Sequence, residues 1–379
     1  MKTILLTSMK KIGFFLLLLL FPLFFSGCTH DMSRKEIDEI NMILVLGIDY
    51  ADGEYTLTGL YNSGGGADPG EGGGSGNEEL AEGTGKSAYA ALEDLKLKNK
   101  KEITLAQTGS FLIGEGAAQR GLDKSIDFLS RDETIKMEAL IYVIKESSAA
   151  DFIQGGMENK QKIYEDMGAI EQKQKELLTR NDNSMVNTLN DMRQTYSCVL
   201  IPYLIADETG YVIDGYAVFD DLKLHDYLNR ETSDGVNFIR NIMRSYPIYL
   251  NDNVGLSVSF TKTKLKAHLE EKQITVTVKV NFETMIKEVA SKEDIFKTDT
   301  LLKLTDEQNE YIRQIIEKAV NYSISTGLDI LNLARVVENQ NVKEWKTVKE
   351  NWPDLISNIK YEYKLESRIS KSFTLGNEE

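Results

Sequence analysis

Few stretches of this 379-residue chain bring together side chains able to do chemistry. Gly83-Thr84-Gly85-Lys86-Ser87 offers glycine amides, a lysine and a hydroxyl, a set that can cradle phosphates and magnesium. A phosphate loop also needs a glycine five positions before Gly85, where Leu80 stands, and no buried strand is evident ahead of it, so the stretch reads as a helix start. Gly114-Glu115-Gly116 follows an apolar run, but Gln119 occupies the place where a dinucleotide fingerprint has glycine for close approach to a pyrophosphate. It reads as a turn. Ser75 lies between glycines, yet Asn77 replaces the second glycine of a nucleophile elbow, and the surroundings are a glycine-rich loop. His30, His225 and His268 occupy polar or amphipathic contexts at no ligand spacing, which argues against both a histidine triad and a zinc site. Carboxylate pairs such as Asp220-Asp221 are common in a chain with 59 acidic residues and do not mark a glycosidase pair. Trp345 and Trp352, at helical spacing, read as packing anchors rather than an aromatic binding platform. The expectation is a protein without enzymatic activity, with no catalytic, cofactor-binding or metal-ligating residues and no cofactor.

The two cysteines separate by context. Lys2, Lys10 and Lys11 precede the uncharged run Ile12 to Phe25, which ends at Ser26-Gly27-Cys28. As a helix that run rises about 21 Å, short of the ~30 Å hydrocarbon core, and Pro22 breaks it further. It therefore reads as a secretion signal rather than a permanent span. Leu23 to Cys28 looks like a bacterial lipobox, with Phe25 a departure from its usual small or aliphatic residue. In that reading the Cys28 thiolate is alkylated by a diacylglyceryl group and becomes the first residue of the mature chain. Cys198, in the apolar run Cys198-Val199-Leu200-Ile201, reads as a buried, inert thiol. No Cys-x-x-Cys is present, which excludes a disulfide scaffold and the common structural zinc sites.

Those residues sit on an ordinary globular background, 41% hydrophobic and 27% charged, long enough for two or three folded units. The formal charge of −15 repels phosphate backbones and no basic patch offsets it in the linear sequence, so nucleic acid is excluded as a partner. Removing residues 1–27 takes away three lysines and no acids, leaving −18 on the mature chain.

Met42 to Asp49 and Tyr55 to Tyr61 read as strands joined through the hairpin signal Asp52-Gly53. Residues 62–85, rich in glycine, read as a flexible surface loop. Alternating helices and strands follow to Lys145, then a charged, helix-prone stretch from Asp151 to Met192 with breaks at Gly155-Gly156 and Asn181-Asp182-Asn183. A second unit is expected to open at Cys198 with strands to Ala206 and from Tyr211 to Phe219, then a helix capped near Ser233. Ile274, Val276, Val278, Val280 and Phe282 alternate with polar residues as a half-buried antiparallel strand. Thr305 and Gln308 form a capping-box pattern ahead of a long helix, and Ile359 to Ile369 alternates as a closing strand. The expected fold class is α+β, a multi-domain chain with mixed or antiparallel sheets and packed helices: signal peptide 1–27, N-terminal domain 28–197, C-terminal domain 198–372 and tail 373–379.

A succession of residues carries a family resemblance: the lipobox at Cys28, Arg34-Lys35-Glu36-Ile37, Leu46-Gly47-Ile48-Asp49, Gly121-Leu122-Asp123 with Phe128 to Asp132, Ile201-Pro202, Gly215 to Phe219, Gly327-Leu328-Asp329, and Glu344-Trp345 with Trp352. In that order they resemble the C-subunit lipoproteins of spore germinant receptors, the GerAC type. Departures are Thr29, where the family often has tryptophan, and the length of the glycine-rich insert Gly64 to Gly76. The resemblance implies a lipid-anchored receptor subunit on the outer face of the inner spore membrane, acting with membrane A and B subunits to detect nutrients. It carries over no catalytic residue, only the anchor role of Cys28. A solute-binding lipoprotein of a transporter, the alternative, predicts two doubly wound lobes around a cleft; a surface-anchored hydrolase predicts clustered carboxylates in a deep pocket.

Overall fold

The computed structural model describes residues 39–63, 77–180, 183–207, 210–250, 254–270, 273–290 and 297–370. Strands β1 (Ile40–Ala51) and β2 (Glu54–Ser63) form the expected hairpin, closed by Asp52 and Gly53, both at positive φ as a tight two-residue turn requires. The glycine-rich segment, expected to be loop throughout, instead supplies a third strand, β3 (Asn77–Gly85), antiparallel to β2. Residues 64–76 lie outside the described residues.

Helix α1 (Ala88–Lys98) follows, capped by the Ser87 hydroxyl, which accepts from Ala90 N. It lies directly on β3: a Cβ at Gly85 would stand 2.6 Å from Ala91 N, and one at Gly83 would collide with Ala91 O and Leu95 N. The glycines that mimic a phosphate loop are there to let a helix pack on a strand.

Next come β4 (Glu102–Thr104), β5 (Ser110–Ile113), the short helices α2 (Glu115–Arg120) and α3 (Leu122–Ile126), and β6 (Leu140–Ile144). Every residue of β5 and β6 is buried, the composition of strands covered on both faces, and β5 pairs in parallel with β1 on one side and β6 on the other. Helices α4 (Ala149–Glu158), α5 (Ile163–Leu177) and α6 (Met185–Asp191) follow. Gly155-Gly156, expected as a break, lies inside α4, where a Cβ on Gly156 would clash with the Tyr211 hydroxyl and Ile163.

Strands β7 (Val199–Asp207), β8 (Gly210–Asp220) and β9 (Lys223–Asn229) complete a nine-stranded sheet of order β3-β2-β1-β5-β6-β7-β8-β9, with β4 on β1. The boundary expected at 198 therefore does not separate sheets: β7 pairs in parallel with β6 through Val143–Tyr203 and Ile144–Leu204. Local alternation reveals a strand but not which neighbour it joins.

Helix α7 (Arg230–Ile239) is capped by Asn229, four residues before the expected Ser233. The second sheet is β10 (Tyr246–Leu250), β11 (Val254–Glu270), β12 (Gln273–Val289) and β13 (Lys360–Ser370), in that order. Between β12 and β13 run α8 (Thr298–Thr326), α9 (Leu333–Gln340), α10 (Val342–Val348) and α11 (Trp352–Ile356). The β12 alternation is as read, with Ile274 to Phe282 buried, but β13 pairs with it in parallel after this helical crossover. Helix α8 begins seven residues before Thr305, whose hydroxyl donates to Leu301 O at 2.7 Å, and Gln308 is buried against Thr284 rather than capping.

The first sheet is covered on one face by α1 to α3 and on the other by α4 and α5. A third core joins β7, β8 and α7 to the second sheet and α8 to α11. The fold is α+β with mixed sheets, not two doubly wound lobes.

Candidate functional site

Two aspartates from the sequence motifs are structural pins. Asp49, at the end of β1, accepts from Ala149 N at 2.7 Å and Ala150 N at 2.9 Å, completing the cap that Ser148 begins at the start of α4. Burial pushes its carboxyl up, and the two amides pull it back. Asp329 is 2% exposed. It accepts from Leu333 N and Ala334 N, both at 2.7 Å, and from the Ser197 hydroxyl at 3.0 Å, while its carbonyl receives Cys198 N at 3.1 Å. One residue thus caps α9 and fixes the start of β7. Cys198 lies in this knot, buried and unpaired, its thiol pushed up to about 12 chiefly by burial. A thiol held protonated is a poor nucleophile.

Trp345 and Trp352 meet edge to face at 5.0 Å, both buried, and Tyr196 packs on Trp345 at 5.4 Å. They anchor α10 and α11, as their spacing implied. His225 and His268 are exposed, as are Asp220 and Asp221. Cys28, His30 and Ser75 lie outside the described residues. Among the described residues no group of three or more His, Cys, Asp or Glu side chains is arranged to hold a metal ion.

A cleft of about 560 Å³ draws on α5, β7, β8, α7 and β10. Leu177, Val212, Ile213 and Met243 give it apolar walls, and Lys173, Arg230, Glu231 and Asp234 bring charge to it. Burial raises the Asp234 carboxyl to about 7, against the pull of Arg230; Tyr246 of β10 and Tyr311 of α8 belong to the same electrostatic neighbourhood. The Tyr216 hydroxyl donates to Asn237 at 2.7 Å, and Tyr216 N donates to Ser233 at 3.1 Å, fixing the floor. A cleft of this size and mixed lining can take a small amphipathic molecule or a side chain of a partner. A second, more polar cleft of about 520 Å³ is lined by Arg180, Arg240 and Arg335 among several asparagines. The sequence hid both, because their residues come from elements far apart in the chain and follow no local pattern.

Comparison with known proteins matches residues 33–206 to the family described as "Spore germination protein N-terminal domain". Residues 214–372 match "Spore germination B3/ GerAC like, C-terminal". Among curated proteins, none matches. A solved structure titled "Crystal Structure of the GerBC protein" superposes with a TM-score of 0.55 at 15% identity, covering 86% of this chain and 96% of that one, a likeness of fold.

Proposed function

We infer that this chain, which belongs to the GerAC-like family of spore germination proteins and is a germinant-receptor subunit, works without catalysis, as a tethered body that presents surfaces to membrane partners. The observation carrying the reading is that matches to both family domains run through nearly the whole chain, while the motif residues inside them, Asp49, Asp329, Trp345 and Trp352, are spent on capping and packing.

The tether is a diacylglyceryl thioether on Cys28, which becomes the first residue of the mature chain once residues 1–27 are removed. One acyl chain binds a bilayer marginally and two or more hold it, which a mature chain of −18 requires beside an anionic surface. The partners are the A and B membrane subunits of the receptor, and the location is the outer face of the inner spore membrane. Among the described residues no helix is long and apolar enough to cross a membrane.

Replacing Cys28 by Ala is the test. Nutrient-triggered germination should be impaired while sporulation proceeds normally, and the mature N-terminus of the wild type should carry the mass of the lipid. Unchanged germination on a broad nutrient panel, in spores with no other receptor, would refute the reading.

A further inference from the structure

The cleft at α5, β8 and α7 is furnished with hydrogen-bond donors. Gln174 of α5 and Asn237 of α7 both line it, and each is 6% exposed. Their carboxamide oxygens are taken, since the Tyr142 hydroxyl donates to Gln174 Oε1 at 2.7 Å and the Tyr216 hydroxyl to Asn237 Oδ1 at 2.7 Å. Those two bonds fix which end of each carboxamide is left over, and it is the NH2. Neither amide nitrogen has a partner among the described residues, and neither is sealed from solvent, so both open into the cleft. A donor left open on a side chain that is otherwise buried calls for an acceptor.

The charges around the cleft point the same way. Lys173 and Arg230 are exposed residues of its lining, and neither is in an ion pair among the described residues. Of the two acids in the lining, Glu231 is held by Lys318 of α8. The other, Asp234, has no hydrogen-bond partner among the described residues, and burial raises its carboxyl to about 7 against the attraction of Arg230. The remaining groups around it, Glu231 of α7, Tyr246 of β10 and Tyr311 of α8, bring no positive charge. Below about pH 7 it is therefore one more donor.

We propose that this cleft binds a small organic carboxylate with an apolar body, its oxygens on the amides of Gln174 and Asn237 beside Lys173 and Arg230. The hydrocarbon lies on the apolar wall of Val212, Ile213 and Met243. Two open carboxamides suit the two oxygens of a carboxylate, whereas an ammonium ligand finds no acceptor while Asp234 keeps its proton. Inorganic phosphate would leave the apolar wall uncovered. The volume, about 560 Å³, is that of a small-molecule site. This inference goes beyond the tethered-subunit reading and does not rest on it, because it follows from the lining alone.

The full chain, purified in a non-ionic detergent, is titrated by calorimetry with hexanoate and with its neutral and cationic counterparts, hexanamide and hexylamine. At about pH 6 hexanoate should bind about tenfold or more tighter than either. Its affinity should fall about tenfold between about pH 6 and about pH 8, because the ligand is repelled as Asp234 ionises. Asp234→Asn should keep the lower-pH affinity across that range. The double variant Lys173→Gln/Arg230→Gln, at exposed positions, should weaken hexanoate about tenfold and leave hexanamide unchanged. Unchanged tryptophan emission and an unchanged urea midpoint would confirm its folding. Hexanamide or hexylamine binding as tightly as hexanoate overturns the proposal, as does a hexanoate affinity that the double variant leaves unchanged. Failure of all three probes to bind at millimolar concentration overturns it too.

Discussion

Replacing Asp329 by Ala should unlock the junction between α9 and the start of β7. The carboxylate is almost fully buried and accepts two backbone amides and one hydroxyl. Its loss leaves Leu333 N and Ala334 N without their acceptor, at about 1–3 kcal/mol each for a buried donor. Removing a buried carboxylate relieves some desolvation, since burial is what raises its pKa. The net expectation is a loss of about 3 kcal/mol. Asp329→Asn keeps one oxygen acceptor and turns a donor toward the other amide, so about half of that loss is expected. Urea unfolding followed by tryptophan emission is the assay, because the only two tryptophans of the chain, Trp345 and Trp352, belong to the same core as Cys198. The order wild type, Asn, Ala should appear as falling midpoints at constant slope. Midpoints for both variants within about 0.5 kcal/mol of wild type would refute the assignment of Asp329 as a structural pin.

Two further perturbations follow from the packing around α7. Asp234 titrates near 7 in the folded chain against an ordinary 3.8, so the folded state holds its proton where the unfolded state has lost it. The stability this contributes is complete below about pH 4 and is lost as pH rises through about 7; Asp234→Asn should flatten that slope and leave the protein more stable at pH 8, by at most about 4 kcal/mol before screening by solvent in the cleft. A wild-type pH profile as flat as the variant's would contradict it. At Gly235 an added Cβ would press on the Ile315 carbonyl and stand 3.0 Å from Ala319 Cβ, forcing α7 from α8, so Gly235→Ala should cost about 1–3 kcal/mol. Gly168→Ala at an exposed position of α5, where nothing lies within 4 Å, should instead stabilise by about 0.4–1 kcal/mol; thermal unfolding of the pair reads the contrast.

What the sequence made legible was local. The alternation of Ile274 to Phe282 marks a half-buried strand because side chains on a strand change face at every residue. That same alternation is blind to direction, so the parallel pairing of β13 with β12 followed only from the helical crossover between them. Strand β3 escaped notice because Gly83 and Gly85 give no apolar pattern; what they provide is room for α1. The start of β7 was readable at Cys198, but its membership of the first sheet rests on two backbone pairings with β6. Asp49 and Asp329 could be quoted as motif residues, yet their partners are amides of helices brought to them by the fold, in the case of Asp49 100 positions away.

This division bears on where function resides. Asp49 and Asp329 are held in place by backbone amides, and the two indoles fill a core; none can move toward a ligand without loosening a helix cap or a packed cluster. Residues so committed set the shape and rigidity of the body and leave recognition to side chains that are free of structural duty. Those are the residues at the clefts, where burial pushes the Asp234 carboxyl up to about 7. Recognition then falls to the clefts and exposed faces rather than to the motif residues.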